Sequence, residues 1–328
     1  MFPGELTLID PATVTVDPVN LPGLEKHGVM VDALRLDKIH PVVSGNKWFK
    51  LKEHLRIAAL TNSRRLITFG GAWSNHIVAT AFAARQAGTP VTGIIRGEQP
   101  LHLSLTLQAA ASYGMHLQFI SRAEYARQTK AFSGERPGKG PDDTLPLTGL
   151  ADAYPGSYII PEGGAGDAGI RGSKEILSLM DGSLYTHILC AIGTGTTWLG
   201  LAEAARSGQT IIGVPVLKGI DDFLTKARRL RVGKDESGAG PRLADHCLLA
   251  CDYHFGGYAR KTQELLDFMN NLYRQTGIPT DFVYTAKLFF GATDMINKGF
   301  FPSGSRLLLI HSGGLQGNSS LEPGILDF

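Results

Sequence analysis

The apolar positions fall into short runs closed by glycine-rich turns, with stretches of helical spacing between them. Leu66-Ile67-Thr68-Phe69 ends on Gly70-Gly71, and Val91–Ile95, His116–Ile120, Tyr158-Ile159-Ile160, Thr186–Ile192, Gln209–Leu217, Ala244–Asp252 and Arg306–Ile310 have the same character. Runs of this length, apolar with little alternation, predict strands covered on both faces. Helices are predicted over Leu51–Leu60, Ile77–Ala87, Leu103–Tyr113, Ala259–Gln275 and Tyr284–Lys298, with two more ending near Met180 and Arg206. Ser74 or Asn75 suits the N-cap of the second helix, and Gly88 suits its end. Strand–helix–strand alternation argues for parallel sheets with helices on both sides. Residues 128–146 are polar and rich in Gly, Pro and Lys, and a surface loop or linker is expected there. The expected fold is α/β, with two doubly wound open parallel sheets.

Composition narrows the classes. A chain of 328 residues is too long for one small core. A hydrophobic content of 43% against 19% charged residues is that of a globular protein. The net charge of +2, with no basic run interleaved with aromatics, argues against nucleic acid. No run approaches membrane-spanning length, and Met1–Glu5 lacks the basic and apolar parts of a leader, so a cytoplasmic location is expected. Three cysteines make no disulfide framework. His246, Cys247, Cys251 and His254 could suggest a metal, but Cys247–Cys251 reads as a buried strand and no metal is expected. The 40 glycines cluster in loops between apolar runs, which suggests close backbone approach to a ligand.

The segment Ser44-Gly45-Asn46-Lys47-Trp48-Phe49-Lys50-Leu51 interrupts this pattern. Gly45 and Asn46 favour a turn, so Lys47 sits at or just before a helix start. The helix dipole repels a cation there, and Lys50 lies one turn on. Both favour a neutral, nucleophilic amine able to form a Schiff base with a carbonyl cofactor. The alternative is a surface lysine in a turn.

Gly193-Thr194-Gly195-Thr196-Thr197 joins a strand to a helix, and its amides and hydroxyls suit a phosphate. The next glycine, Gly200, falls too late for G-x-G-x-x-G, and the loop lacks a P-loop lysine. Ser74-Asn75-His76 opens another helix whose amides suit a carboxylate; an ordinary cap is the alternative. Tyr258, Tyr284 and Thr285 are polar groups beside glycine-rich or apolar segments. His311-Ser312-Gly313-Gly314 follows a buried strand, where open α/β sheets place ligands. An amine lysine, a phosphate loop and a carboxylate nest are together what pyridoxal phosphate needs to act on an amino acid.

From about Pro41 to Gly314 the chain resembles the 1-aminocyclopropane-1-carboxylate deaminase / D-cysteine desulfhydrase family, within the tryptophan-synthase-β-like, fold type II pyridoxal-phosphate enzymes. The resemblance rests on Gly45-Asn46-Lys47 with Lys50-Leu51, Gly71-Ala72 with Ser74-Asn75-His76, and Pro161-Glu162-Gly163-Gly164. It continues through Gly195 with Thr197, Tyr258, Val283-Tyr284-Thr285 with Lys287, and Gly304-Ser305-Arg306 with Gly313-Gly314.

It implies that Lys47 carries the Schiff base and moves the proton at Cα, while Lys50 and Gly193–Thr197 hold the phosphate. Asn75 would bond the pyridine 3′-oxygen, and Ser74, with Tyr258 and Tyr284, would work on the substrate, which Asn75, His76 and Ser312 help to bind. It further implies a homodimer, with a small domain at 52–155 inserted into a large one formed by 1–51 and 156–328. Thr285 aligns with the group facing the pyridine nitrogen, where ring-opening members carry a carboxylate. Ser312 stands where those members carry leucine. Both positions point to β-elimination, D-cysteine to pyruvate, ammonia and sulfide, ahead of cyclopropane-carboxylate deamination or cofactor binding without turnover. Phe49 and Trp73 depart from the family's arginine and glutamine, and bulkier, more apolar groups near the substrate are expected.

Overall fold

The computed structural model describes residues 9–130, 154–219 and 246–328. Among the described residues ten strands form two sheets. The larger has the order β1-β2-β10-β7-β8-β9, from Val16–Pro18, Met30–Arg35, Arg306–His311, His187–Ile192, Thr210–Pro215 and Cys247–Leu249. Only β1 runs antiparallel, to β2; the other pairings are parallel. The smaller sheet is wholly parallel in the order β5-β4-β3-β6, from His116–Ile120, Val91–Arg96, Arg65–Gly70 and Ser157–Ile160. The sequence between β2 and β7 supplies this second sheet, and β6 pairs with β3.

The apolar strand runs are explained by burial on both faces. In β10, Leu308 and Ile310 enter one core cluster while Leu307 and Leu309 enter another on the opposite face. In the small sheet Leu66 and Ile95 face one cluster, and Ile67, Phe69 and Ile94 the other. Successive side chains of a strand point to opposite faces, so an uninterrupted apolar run is what two-sided cover demands. The largest cluster spans both sheets through Leu51, Leu55 and Ala58 of helix α1, Asn46–Leu60. That shared core fixes how one sheet faces the other.

The helices are α2 Asn75–Gln86, α3 Leu105–Ser112, α4 Arg122–Lys130, α5 Asp167–Lys174, α6 Thr196–Ala204, α7 Gln263–Thr276 and α8 Thr285–Asn297. Three glycines set the packing of α5. A Cβ at Gly172 would stand 1.7 Å from the Phe49 carbonyl oxygen of α1, and one at Gly169 would stand 2.0 Å from that of Gly164. A Cβ at Gly200 of α6 would lie 2.5 Å from the Ser173 Cβ. Helices α1, α5 and α6 therefore meet backbone to backbone, which brings the start of α1 beside the start of α6.

Some expected boundaries move. Helix α1 begins at Asn46 rather than Leu51, so Lys47 lies inside its first turn. Gln128–Lys130 belong to α4, and the rest of the expected 128–146 loop lies outside the described residues. The helix expected to reach Met180 ends at Lys174 and continues as a 3-10 turn over Glu175–Leu179. The Cys247–Cys251 strand stops at Leu249, and Cys251 opens a 3-10 turn. Helix α7 starts at Gln263, four residues later than its spacing suggests, behind a Thr262 cap that accepts from the Leu265 amide.

Candidate active site

The carboxyl ends of β3, β7 and β10 converge on the start of α1. Gly45 takes φ 68°, and a Cβ there would lie 1.9 Å from the Ser312 carbonyl oxygen, so only glycine fits this turn. The Asn46 amide donates to that same carbonyl at 3.3 Å, tying the end of β10 to the helix start. Lys47 Nζ then donates to Asn46 Oδ1 at 2.9 Å, while Asn46 Nδ2 donates to Thr197 Oγ1 at 2.8 Å. The amine also lies 5.9 Å from the centre of the Tyr284 ring. Desolvation pulls its pKa down to about 8 against the opposing field of Asp281. Burial is therefore what favours the neutral amine; the influence of Lys50 expected from sequence acts in the other direction, Lys47 helping to depress Lys50.

Lys50 is 5% exposed, and its Nζ makes a long 3.4 Å donation to the Gly163 carbonyl. Desolvation, with repulsion from Lys47, holds its pKa well below the usual lysine range. A buried amine so poorly satisfied regains its charge when an anion binds beside it. The threonine loop supplies the surroundings. Gly195 takes φ 80° at the N-cap of α6, Thr196 and Thr197 are buried, and the Thr194 and Thr196 hydroxyls lie 3.0 Å apart. Gly163 packs on Thr194, where a Cβ would come within 3.0 Å of its methyl. Gly193 lies against Tyr284, with room for a Cβ only 3.1 Å from the ring. Lys50, Gly193, Thr194, Gly195, Thr196 and Thr197 thus surround the N-terminus of one helix, which suits a phosphate.

Across the cleft, Ser74 caps α2, its Oγ accepting from the Ile77 amide at 3.4 Å. Asn75 Nδ2 donates to the Gly314 carbonyl at 3.2 Å, and its buried Oδ1 has no hydrogen-bond partner. His76 is buried beside Gly164, and its charged form is disfavoured by burial and by Lys47 and Lys50. It is 2% exposed, with Nε2 2.7 Å from Thr68 Oγ1, which itself donates to the Ile160 carbonyl. Those partners leave Nδ1 as an unpartnered acceptor, and burial keeps the ring neutral. Ser312 meets the start of α1 through its backbone.

Tyr284 and Tyr258 stand edge to face, with ring centres 6.1 Å apart. Burial and mutual proximity push the Tyr284 phenol well above its ordinary pKa, and burial raises that of Tyr258, so both remain protonated donors. Thr285 is fully buried at the start of α8. Its Oγ1 accepts from the Asp281 amide at 2.7 Å and donates to Asp281 Oδ1 at 2.7 Å. The carboxylate also accepts from the amides of Val283, Tyr284 and Thr285. Burial raises the Asp281 pKa against the pull of these hydrogen bonds, and a buried carboxyl group therefore stands directly behind the hydroxyl, which sequence reasoning did not foresee; the D-x-x-x-T spacing at a helix start was the available signal.

Phe49 is the clearest correction. It is 2% exposed and buried in the shared core, with the Lys52 amine 5.5 Å from its ring centre, so it does not line the cleft. Trp73 does reach solvent at the mouth, 42% exposed.

A lysine amine with a depressed pKa, a second buried lysine near a threonine-lined helix N-terminus and a capped second helix suit an aldehyde cofactor with a phosphate tail. The family model for pyridoxal-phosphate dependent enzymes matches residues 18–313, and the chain belongs to that family. It is 31% identical over 306 residues to a Thermotoga maritima protein provisionally named 1-aminocyclopropane-1-carboxylate deaminase, covering 89% of this chain and 91% of that one. It is 29% identical to a bifunctional D-cysteine desulfhydrase/1-aminocyclopropane-1-carboxylate deaminase of Arabidopsis thaliana, over 91% of this chain and 75% of that one. A solved structure of an ACC deaminase homologue superposes with TM-score 0.73 at 23% identity, covering 97% of both chains. Threonine deaminase isoform 2 from Solanum lycopersicum gives 0.61 at 15% identity, over 94% of this chain and 82% of that one. The fold is that of the type II enzymes, the cofactor is pyridoxal phosphate, and the chain is a lyase or deaminase of this family.

Proposed function

We propose that this enzyme catalyses β-elimination from a small D-amino acid, with D-cysteine and water giving pyruvate, ammonia and hydrogen sulfide. The observation that carries the reading is Thr285, a neutral hydroxyl at the position that faces the pyridine nitrogen in the resemblance. A neutral partner makes the ring a weaker electron sink than a carboxylate would. A carbanion at Cα that is less delocalised favours expulsion of a leaving group at Cβ.

When bound, the cofactor supplies the electron sink that stabilises a carbanion at Cα. The residues of this chain do the rest. Lys50 and the Gly193–Thr197 loop would hold the phosphate, and Asn75 would hydrogen-bond the 3′-oxygen. Lys47, its pKa near 8, takes the proton from Cα. The amides at the start of α2, with Ser74, bind the substrate carboxylate. Tyr284 and Tyr258 remain protonated and donate hydrogen bonds around the reacting carbon.

A second reading, 1-aminocyclopropane-1-carboxylate to 2-oxobutanoate and ammonia, is favoured by the carboxylate of Asp281, 2.7 Å behind the Thr285 hydroxyl. The names carried by the relatives favour it too. Purified enzyme offered each substrate separately distinguishes the two. Sulfide and pyruvate from D-cysteine, with no 2-oxobutanoate from the cyclopropane, support elimination. The reverse pattern overturns it. We also propose that the enzyme works as a homodimer and that residues 52–155 and the remainder form its small and large domains; sedimentation equilibrium at twice the 35.2 kDa chain mass is the expected result for the dimer.

A further inference from the structure

Lys287 lies on α8 one turn after Tyr284, and its side chain is completely buried. Among the described residues no carboxylate lies within ion-pair distance of it. Its Nζ donates instead to two backbone carbonyls, His254 at 2.9 Å and Gly257 at 2.8 Å. Burying an ammonium costs several kcal/mol, and desolvation brings its pKa down to about 8. A methionine would fill the same volume without that cost. The two carbonyls are therefore what the lysine serves.

They belong to a loop that needs holding. Phe255, Gly256, Gly257 and Ala259 have φ of 50°, 91°, 121° and 52°. A non-glycine residue in the left-handed region is strained, and here there are two. Helix α8 straps the loop along one face. Asp294 accepts from the Tyr253 hydroxyl at 2.8 Å, Phe290 stacks edge to face on Phe255 at 4.9 Å, and Lys287 holds the carbonyls. Residues 287, 290 and 294 are spaced to share one side of a helix.

The residue that follows Gly257 is Tyr258. It is 45% exposed, so packing of its own side chain does not hold it. Its position beside Tyr284 is set by side-chain hydrogen bonding between the two phenols and by the backbone on which it rides. We propose that Lys287 is a positioning residue for Tyr258, tying loop 254–260 to the helix that also carries Tyr284 so that the two phenols meet at the mouth of the cleft. This rests on the reading of Tyr258 as a site residue for a small amino-acid substrate.

Two measurements test it. Amide hydrogen exchange without any substrate should show residues 256–260 exchanging at least tenfold faster in Lys287→Met, with α1 and α6 unchanged. Equal exchange in that loop would overturn the proposal whatever the reaction is. In the loaded enzyme a cycle of Lys287→Met and Tyr258→Phe should be non-additive. Lys287→Met should lower kcat roughly tenfold, the loss of about one hydrogen bond's worth of positioning, and less than twofold once Tyr258 is Phe. The visible spectrum and cofactor affinity should not change. Effects that multiply, with Tyr258→Phe itself impaired, overturn the positioning role alone. A Tyr258→Phe enzyme of full activity removes Tyr258 from the reaction and overturns both readings. If Lys287→Met does not fold, Lys287→Gln, which keeps one donor, carries the same two measurements.

Discussion

Thr285 Oγ1 lies 2.7 Å from Asp281 Oδ1, both residues fully buried at the head of α8. The hydroxyl proton is committed to a carboxylate that three backbone amides also hold. The carboxylate thus caps the helix and orients the residue facing the cleft. Asp281→Ala would leave those amides without a partner in a dry site. A loss of about 2–4 kcal/mol of folding stability is expected, read as a lowered urea midpoint in cofactor-free protein. Thr285→Ser, which keeps the hydroxyl, should lose less than half as much.

Lys47 should attach the cofactor covalently. Borohydride on loaded wild type should fix the label to Lys47, and Lys47→Ala should show no fixed label and at least roughly a 10³-fold loss of turnover. Desolvation lowers the amine to about 8, so its neutral form grows as pH rises towards that value. The rate at which free cofactor is captured should climb from pH 6 to 8 and level off above it, measured by stopped-flow absorbance.

Lys50 is a test of the phosphate site. Its buried amine has one long bond to Gly163, so an anion is what satisfies it. Lys50→Ala should weaken pyridoxal phosphate binding roughly 10–100-fold, the worth of one charged hydrogen bond. Pyridoxal without its phosphate should bind wild type and variant alike, measured by fluorescence titration.

Asp37 reports on acid stability. Arg35 grips both of its oxygens at 2.8 and 2.6 Å, and His311 Nδ1 lies 3.0 Å away. Burial pushes this carboxyl up, but hydrogen bonds and charge from His311 and Arg35 outweigh it and hold the pKa well below the carboxylate range. A depressed folded value means that the contribution is full above the unfolded pKa of about 3.9. It is lost as pH falls below that value. Urea midpoints should therefore drop steeply below about pH 4. Asp37→Asn should cost roughly 1–3 kcal/mol at neutral pH, because the buried Arg35 guanidinium keeps only its 2.9 Å partner Asp17, and should flatten that acid slope.

Gly172→Ala would drive a methyl to 1.7 Å from the Phe49 carbonyl oxygen. Helices α1 and α5 must separate, and with α1 moves Lys47. Loss of about 1–3 kcal/mol should accompany weakened cofactor binding, whereas Gly208→Ala, where nothing lies within 4 Å, should leave cofactor binding unchanged.

Much of this was legible along the chain. The runs of β3 to β10, the glycine turns after β3 and β7, the Ser74 cap and the turn before Lys47 are local events, written in residues next to one another, whereas β1 (Val16–Pro18) and β2 (Met30–Arg35) lie outside the expected runs. Local period also misleads where the helix start is misjudged. With α1 starting at Asn46, Phe49 lies roughly 200° around the axis from Lys47, so it faces the core while the lysine faces the cleft. His76 follows two cleft residues yet is buried, with Nε2 against the Thr68 hydroxyl.

What sequence alone determined was eight of the ten strands, the order of alternation from β3 onward and the unusual lysine, because backbone preference and two-sided burial are encoded within a few residues. What only the tertiary structure decided was which distant groups meet. Asn46 reaches Thr197, Lys50 reaches Gly163, and Asp281 and Lys287 lock the two ends of one helix turn to separate parts of the site. Those meetings depend on α1, α5 and α6 touching at glycines, and on one core shared by two sheets. Close approach is a property of two surfaces at once, so no spacing in a single stretch of chain could have stated it.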